Sequence, residues 1–423
     1  MADVTAYEPL RRSILEQIGN DGVDPSDRTA VLDVINRAVV RHQHDATRGI
    51  GEPLTRPGDF VERLRLSLLE AGPLTECFEH PDLASEINVE GGTITAVTVD
   101  GRQRIIDSTS PEEMYAVIAR LMADAGVAVD GEHPVAVAQI WDNRVRASVS
   151  IPPVSDGLDA TFRIYRSQDV SFDDLVGWGS LSPPAGEFMK AVHLIPTVGE
   201  LLSGPPGAGK TTIAAAGLRA IPETTNIRII QEARELEAPH HPGGRWSPDG
   251  GGHSIRSLVN RALQFAPGFL VVGETRGAEA FELLKASNSG CGFATTLHAK
   301  SASLAMDSLV TAALMAGENV PETAVRRSFA SLIDVVVHCA VQPLHLAEPG
   351  RPPLRQVMEI CTVPSQVTSD HFTLEPVFSR PALGEPMEFH GVGALGELAD
   401  ALDDVLPAGV TARGLCEGQC RLP

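Results

Sequence analysis

No apolar run in the chain approaches the roughly 18 residues that a membrane-crossing helix requires. The first residues, Met1-Ala2-Asp3-Val4, carry neither a basic n-region nor an apolar h-region, which predicts no secretory signal. Basic residues are few: 34 Lys plus Arg face 55 Asp plus Glu, for a formal charge of −21. Gripping nucleic acid needs a basic footprint, so this balance argues against direct nucleic-acid binding, a local basic strip apart. Cysteine is sparse. Cys77, Cys291, Cys339, Cys361, Cys416 and Cys420 are scattered without a disulfide framework, which suits a reducing cytosol. Cys416 and Cys420 form a lone C-x-x-x-C and read as free thiols rather than as half of a zinc site. Repeats and low-complexity tracts are missing.

What is present is core-forming. Hydrophobic residues are 43% of 423, enough for packed cores, and the length suggests roughly two or three domains.

The stretch Gly204-Pro205-Pro206-Gly207-Ala208-Gly209-Lys210-Thr211-Thr212 fits G-x-x-x-x-G-K-[ST] in full. Val198 to Leu202 before it reads as a short buried strand, and the Ala-rich run from Ile213 to Arg219 as a helix. In that context the glycines let backbone N–H groups turn onto phosphate oxygens, and the helix N-terminus adds its positive end. Lys210 would reach the β- and γ-phosphates, and the Thr211 hydroxyl would sit on Mg²⁺. ATP and Mg²⁺ are the expected cofactors.

The chain divides, on this reading, into four parts. Residues 1–70 are a helical lead-in whose mobility is left open, with helical spacing in Leu32 to Val40 and Phe60 to Glu70. Residues 71–170 form an α+β N-terminal domain. Its strands are expected at 86–89, 93–99, 135–140 and 145–151, with Asp100-Gly101 as a hairpin turn. Ser110-Pro111-Glu112-Glu113 starts a helix, with Ser110 as cap. Residues 171–345 alternate helices and short apolar strands at 227–231 and 269–273, with a Gly/Pro-rich loop at 239–252 between them. That alternation around a P-loop predicts an α/β, mostly parallel, doubly wound sheet, a RecA-like P-loop NTPase core. Residues 346–423 are a proline-rich extension with an acidic tail helix over 395–406.

Phosphoryl transfer also needs a carboxylate to hold Mg²⁺ or polarise water, and cations for the γ-phosphate. Glu274 ends the apolar strand Phe269–Gly273, and Arg276 follows it in Gly273-Glu274-Thr275-Arg276-Gly277. Gln231-Glu232-Ala233-Arg234-Glu235-Leu236 follows a second strand, and Ala294-Thr295-Thr296-Leu297-His298-Ala299 ends a third.

These four boxes, in this order, resemble the type II/type IV secretion and pilus ATPases, and most closely their CpaF-like branch of tight-adherence (Flp) pili. The resemblance runs from about Gly72 to Ala340. It implies a RecA-like ATPase domain behind an N-terminal domain, and homo-hexamers on the cytoplasmic face of the inner membrane, held there by a platform protein. By the same resemblance Glu274 is the Walker-B acid, also at Mg²⁺, and His298 the histidine-box residue. Arg144 and Arg163 match arginines brought to the nucleotide from the N-terminal domain. Glu232 stands where the family has aspartate, and Glu235 is kept. Two departures stand out. Gln231 replaces the box's first glutamate, so a true loss of a base predicts that Gln231→Glu raises turnover, and Pro205-Pro206 replaces small residues. The tetracysteine zinc module of the type II branch is missing. Two other readings compete with a motor: an AAA+-type remodelling ATPase, suggested by Gly204-Pro205-Pro206-Gly207, and a nucleotide-binding scaffold with weak hydrolysis, suggested by Gln231.

Overall fold

Two units, residues 1–165 and 166–423, follow different patterns. The computed structural model describes residues 2–80, 85–97, 103–165, 169–248, 252–288, 290–348, 351–365 and 371–422. The expected Asp100-Gly101 turn lies outside them.

Three helices open the N-terminal unit: α1 (Ala2–Asn20), α2 (Arg28–Thr47) and α3 (Pro57–Leu69). Asp27 caps α2 by accepting from the backbone N–H groups of Thr29 and Ala30, which the helix itself cannot satisfy. Ile14, Val31, Val34, Ile35 and Leu64 bury the shared core. After a short α4 (Thr75–Glu79) come β1 (Glu86–Glu90), β2 (Thr93–Val97), β3 (Gln103–Ser108), α5 (Pro111–Asp124), β4 (Val135–Ile140), β5 (Val145–Ser150) and β6 (Asp159–Ile164). Ser110 caps α5 as its sequence pattern predicts, accepting from Glu113 N–H at 3.1 Å. The strands form one antiparallel sheet in the order β3-β2-β1-β6-β5-β4. Alternation puts Ile87, Val89, Phe162, Val145 and Val149 on the face covered by Met114, Val117 and Ile118 of α5.

One buried carboxylate ties the opening helices to this layer. Glu113 on α5 is fully buried and accepts the Tyr7 hydroxyl of α1 at 2.5 Å, with Thr109 as a further donor and the Arg11 and Arg63 guanidinium groups at 3.8 and 3.6 Å. Burial pushes its carboxyl up. The hydrogen bonds from Thr109 and Tyr7 and the Arg63 charge outweigh this and hold it below the usual carboxylate range.

The C-terminal unit begins with α6 (Phe172–Gly177) and α7 (Pro183–Val192), started by Ser171 and Ser182. Then follow β7 (Gly199–Ser203), α8 (Lys210–Ala220), β8 (Ile227–Ile230), β9 (Gly243–Trp246), α9 (Ile255–Ala262), β10 (Phe269–Val272), α10 (Glu279–Asn288), β11 (Gly292–Leu297), α11 (Ala302–Leu314), α12 (Glu322–Ala330) and β12 (Val335–Val341). Every residue of β7, β10 and β11 is buried, as expected of strands covered on both faces. These strands run in the order β12-β7-β11-β10-β8-β9, all parallel.

Two details differ from the sequence expectation. The segment 239–252 contains a strand: β9 pairs with β8 as a parallel edge, and Gly243 has φ +145 with no room for a Cβ against Ile227 O. A short Gly-rich run at a sheet edge has no hydrophobic alternation to announce it. Past residue 346, β13 (Arg355–Thr362), β14 (Glu375–Ser379) and β15 (Glu388–Phe389) continue the sheet antiparallel. The tail helix α13 (Leu398–Val405) starts after a break at Gly396, φ +50, and α14 (Ala412–Cys416) follows.

The Glu113 network yields a pH-dependent prediction. A carboxyl with a lowered folded pKa contributes stability that is present above its unfolded pKa and lost as pH falls through the folded one. Glu113→Gln should therefore destabilise the N-terminal unit by about 3 kcal/mol at pH 7, since it removes one partner of a buried charge network. In urea unfolding followed at both pH values, the gap to the parent protein should shrink below about pH 4.

Candidate functional site

The C-terminal edge of the parallel strands gathers the chemistry of the second unit. Between β7 and α8 the chain turns through Gly204 (φ +144), Gly207 (φ +74) and Gly209 (φ +94). A Cβ on Gly204 would lie 2.3 Å from Cys339 O, so this position admits no side chain. Helix α8 starts without a side-chain cap, leaving its first N–H groups open to an anion. Lys210 is buried at the turn, its Nζ donating to Gly204 O at 2.9 Å and Pro205 O at 3.1 Å. Thr211 and Thr212 are half-buried in the first turn of α8.

His298 comes in from the end of β11. Its Nδ1 lies 3.1 Å from Lys210 Nζ and 3.0 Å from Gly204 O, and its Nε2 lies 3.2 Å from Glu274 Oε1. A proton on Nε2 lets Nδ1 accept from Lys210 while Nε2 faces the carboxylate. The imidazole thus bridges the P-loop to the tip of β10.

Glu274 is held from both sides. Arg276 Nη2 donates to its Oε2 at 2.5 Å, and Arg276 Nη1 lies 3.8 Å from Glu232 Oε2. Partial burial raises the Glu274 pKa, but the Arg276 hydrogen bond and charge, with His298 and Lys210, hold it below the usual carboxylate range. It is ionised at neutral pH and a weak proton acceptor, suited to orienting water or a cation. Among the described residues no hydrogen bond reaches its buried Oε1, because His298 is close but not aligned. That unbonded oxygen and the Thr211 hydroxyl in the first turn of α8 are donors of the kind a hard divalent cation takes.

The threonines of Thr295-Thr296 lock the tips together. Thr295 Oγ1 donates to Val272 O at 3.0 Å, Thr296 Oγ1 to Gly273 O at 2.7 Å, and Thr275 N to Thr296 O at 2.8 Å. Gly273 has no room for a Cβ, which would lie 2.9 Å from that of Gln231. The threonines' partners are backbone carbonyls at the end of another strand, which the spacing of the box does not announce.

Gln231 has a role that its spacing did not announce. It is buried, its Nε2 donates to Leu236 O at 2.9 Å, and its Oε1 accepts from the N–H groups of Glu235 and Leu236 at 3.2 and 2.9 Å. The amide closes the acidic loop using both ends, and a carboxylate lacks the donor. Glu232 is exposed and Glu235 half-buried on that loop.

Arg144 and Arg163 belong to the other unit. Arg163 is exposed on β6, in register with Glu86 and Arg146 on the open face of the antiparallel sheet. Arg144 is exposed after Trp141, Asp142 and Asn143, three residues in a row at φ +54, +56 and +61. Asp and Asn tolerate this left-handed conformation, and the turn is closed by Arg144 N donating to Trp141 O at 3.2 Å.

A RecA-like P-loop core with a lysine, a carboxylate and a histidine at its strand tips defines the class. Within it, a model described as "Type II/IV secretion system protein" matches residues 102–342, more than half of the chain, and the chain belongs to that family. Among curated relatives, a candidate conjugal transfer protein of Mycobacterium tuberculosis (strain ATCC 25618 / H37Rv) is 31% identical over 238 residues, 54% of this chain and 66% of that protein. The type IV secretion system protein PtlH of Bordetella pertussis is 35% identical over 148 residues, 32% of this chain and 43% of that protein. The chain thus spans just under two thirds of the first of these relatives and less than half of the second. Among solved structures, the pilus retraction motor PilT with bound ADP aligns at a TM-score of 0.51 with 19% identity, covering 65% of this chain and 79% of that one. That likeness is one of fold.

The Gln231 geometry reverses the expectation that restoring glutamate helps. Gln231→Glu should set a carboxylate against Leu236 O and lower, rather than raise, both stability and any turnover, by about 1–3 kcal/mol in the unfolding free energy. Urea unfolding of the variant beside the parent measures it.

Proposed function

We propose that the protein is an ATP-hydrolysing motor of a pilus or type II/IV secretion machine. The observation that carries this reading is the chain of contacts Lys210–His298–Glu274–Arg276 around the P-loop turn. It sets cations and an ionised carboxylate around the turn where a phosphate chain binds. Glu274 and Thr211 would hold Mg²⁺, whose charge offsets that developing on the phosphoryl oxygens. This chain's own residues orient the rest: Lys210 is a point charge for phosphate oxygens, and His298 keeps Lys210 and Glu274 in register. Glu274, ionised beside Arg276, would orient the attacking water.

Arg144 and Arg163 would complete the site from an N-terminal unit, in a ring of six subunits, when the units close on the nucleotide. A guanidinium fork suits phosphate oxygens, and delivery by a separate body couples hydrolysis to movement. A cytoplasmic position beneath the inner membrane, docking on a platform protein, and the CpaF-like role in tight-adherence pili extend the same reading. The four sequence boxes support that branch. An AAA+ remodeller fits less well, because Gly273 precedes Glu274 where that class carries a second acid. The scaffold reading rested on Gln231, whose amide is used structurally.

Lys210→Ala should abolish turnover with the fold intact, and Glu274→Gln should lower kcat by on the order of a hundredfold. Parental ATPase rates in either would overturn the site. Arg163→Ala should keep ATP affinity within several-fold yet cut kcat by on the order of a thousandfold. Turnover measured alongside sedimentation with ATP tests this: a chain that stays monomeric with ATP, or parental turnover in the Arg144→Ala/Arg163→Ala double variant, refutes the ring mechanism.

A further inference from the structure

The family match ends at residue 342, and β13 begins beyond it at Arg355. This strand lies beside β12, so its first residue falls at the P-loop end of the sheet, opposite Val341. The register is not uniform. Val337 pairs with Ile360 and His338 with Glu359, but Cys339 pairs with Val357, leaving Met358 as the extra residue of a bulge. Without the bulge, Val341 would face Gln356, and the side chains of β13 that precede it, Arg355 to Val357, would change sides. With it, Val357 joins Val337, Cys339, Ile213 and Ala214 in the core on the α8 side, and Arg355, two residues along, shares that face.

Arg355 reaches the phosphate loop itself. Its Nε donates to Gly207 O at 2.8 Å. No carboxylate lies in ion-pair range of it among the described residues. The other cations differ: Arg276 is paired with Glu274 and Glu232, and Lys210 is bonded to Gly204 O and Pro205 O. The Arg355 side chain is exposed at this edge, and partial desolvation of its guanidinium holds it below the usual arginine range. An exposed cation bonded to a phosphate loop without a counter-ion is a site for an anion.

We infer that Arg355 is a further nucleotide-binding residue, supplied by the segment after the family core. Its Nε would hold the loop through Gly207 while its terminal N–H groups take phosphate oxygens of a nucleoside polyphosphate. The inference rests on the P-loop reading above and extends the site to the side of the loop away from Glu274.

The test is a fluorescence titration with mant-ADP, with inorganic tripolyphosphate as competitor, on the full chain. Arg355→Ala should weaken both ligands about tenfold, as loss of one charge-assisted contact does, and Arg355→Lys should recover part of the loss. The deficit should narrow between about 0.1 M and about 1 M salt, because screening removes the ionic share. The unfolding midpoint without nucleotide should match the parent, and if Arg355→Ala unfolds, Arg355→Gln serves in its place. An affinity change under twofold overturns the assignment. So does a loss for mant-ADP with none for tripolyphosphate, which places the guanidinium on base or ribose. A loss equal at both salts also overturns it, since Arg355 then acts through the Gly207 carbonyl alone. Lys210→Ala separates the two readings: if it binds mant-ADP like the parent, the P-loop reading fails. If it loses binding while Arg355→Ala does not, only the Arg355 assignment fails.

Discussion

The close approach of two backbones at Gly204 is the constraint on which the second unit depends. The strand β7 must pass so near Cys339 that no side chain fits, and only then can the chain turn inward around Lys210. The rest of the site is hung from that turn. His298 Nδ1 accepts from the Lys210 ammonium that the Gly204 carbonyl holds, and its Nε2 faces Glu274. Because His298 touches both neighbours, loss of the imidazole would loosen the P-loop and the β10 tip together.

A second layer of polar contacts holds this turn from below. His193 Nε2 lies 3.3 Å from Glu200 Oε2, both side chains are buried, and Glu200 is on β7 just before the loop. Burial lowers the pKa of His193, but the Glu200 charge reverses this and raises it above its ordinary value. Gly217 on α8 is what admits the ring, since a Cβ there would lie 2.2 Å from Nε2. A buried pair is a poor source of net stability, yet breaking it by removing one partner is costly. It therefore resists relative sliding of α7, β7 and α8, the three elements that shape the phosphate loop. Ser203 and His338, 2.9 Å apart at the loop's entry, join the next strand to it.

Charge is distributed with the same economy. The chain carries a formal −21, and yet four cationic or titratable donors converge at one sheet edge: Lys210, Arg276, His298 and Arg355. Glu274 and Glu232 there are paired with Arg276, and Glu274 faces His298.

The sequence by itself determined the strand–loop–helix around Gly204–Lys210, the parallel core and the strand tips that bear Glu274 and His298. These follow from local rules, since a P-loop needs glycines at set positions and buried parallel strands read as short apolar runs. Only the tertiary structure decided what Gln231 does, because its partners are backbone groups of a loop whose closure no periodicity encodes. It also decided where residues past 346 belong. Weak, proline-broken strands become part of the sheet only through pairing with β12, and one bulged residue then sets which side chain faces the phosphate loop. The coupling of Tyr7 to Glu113 across 106 positions is of the same kind. Contacts between distant segments depend on how apolar faces are buried together, and that is a property of the whole chain.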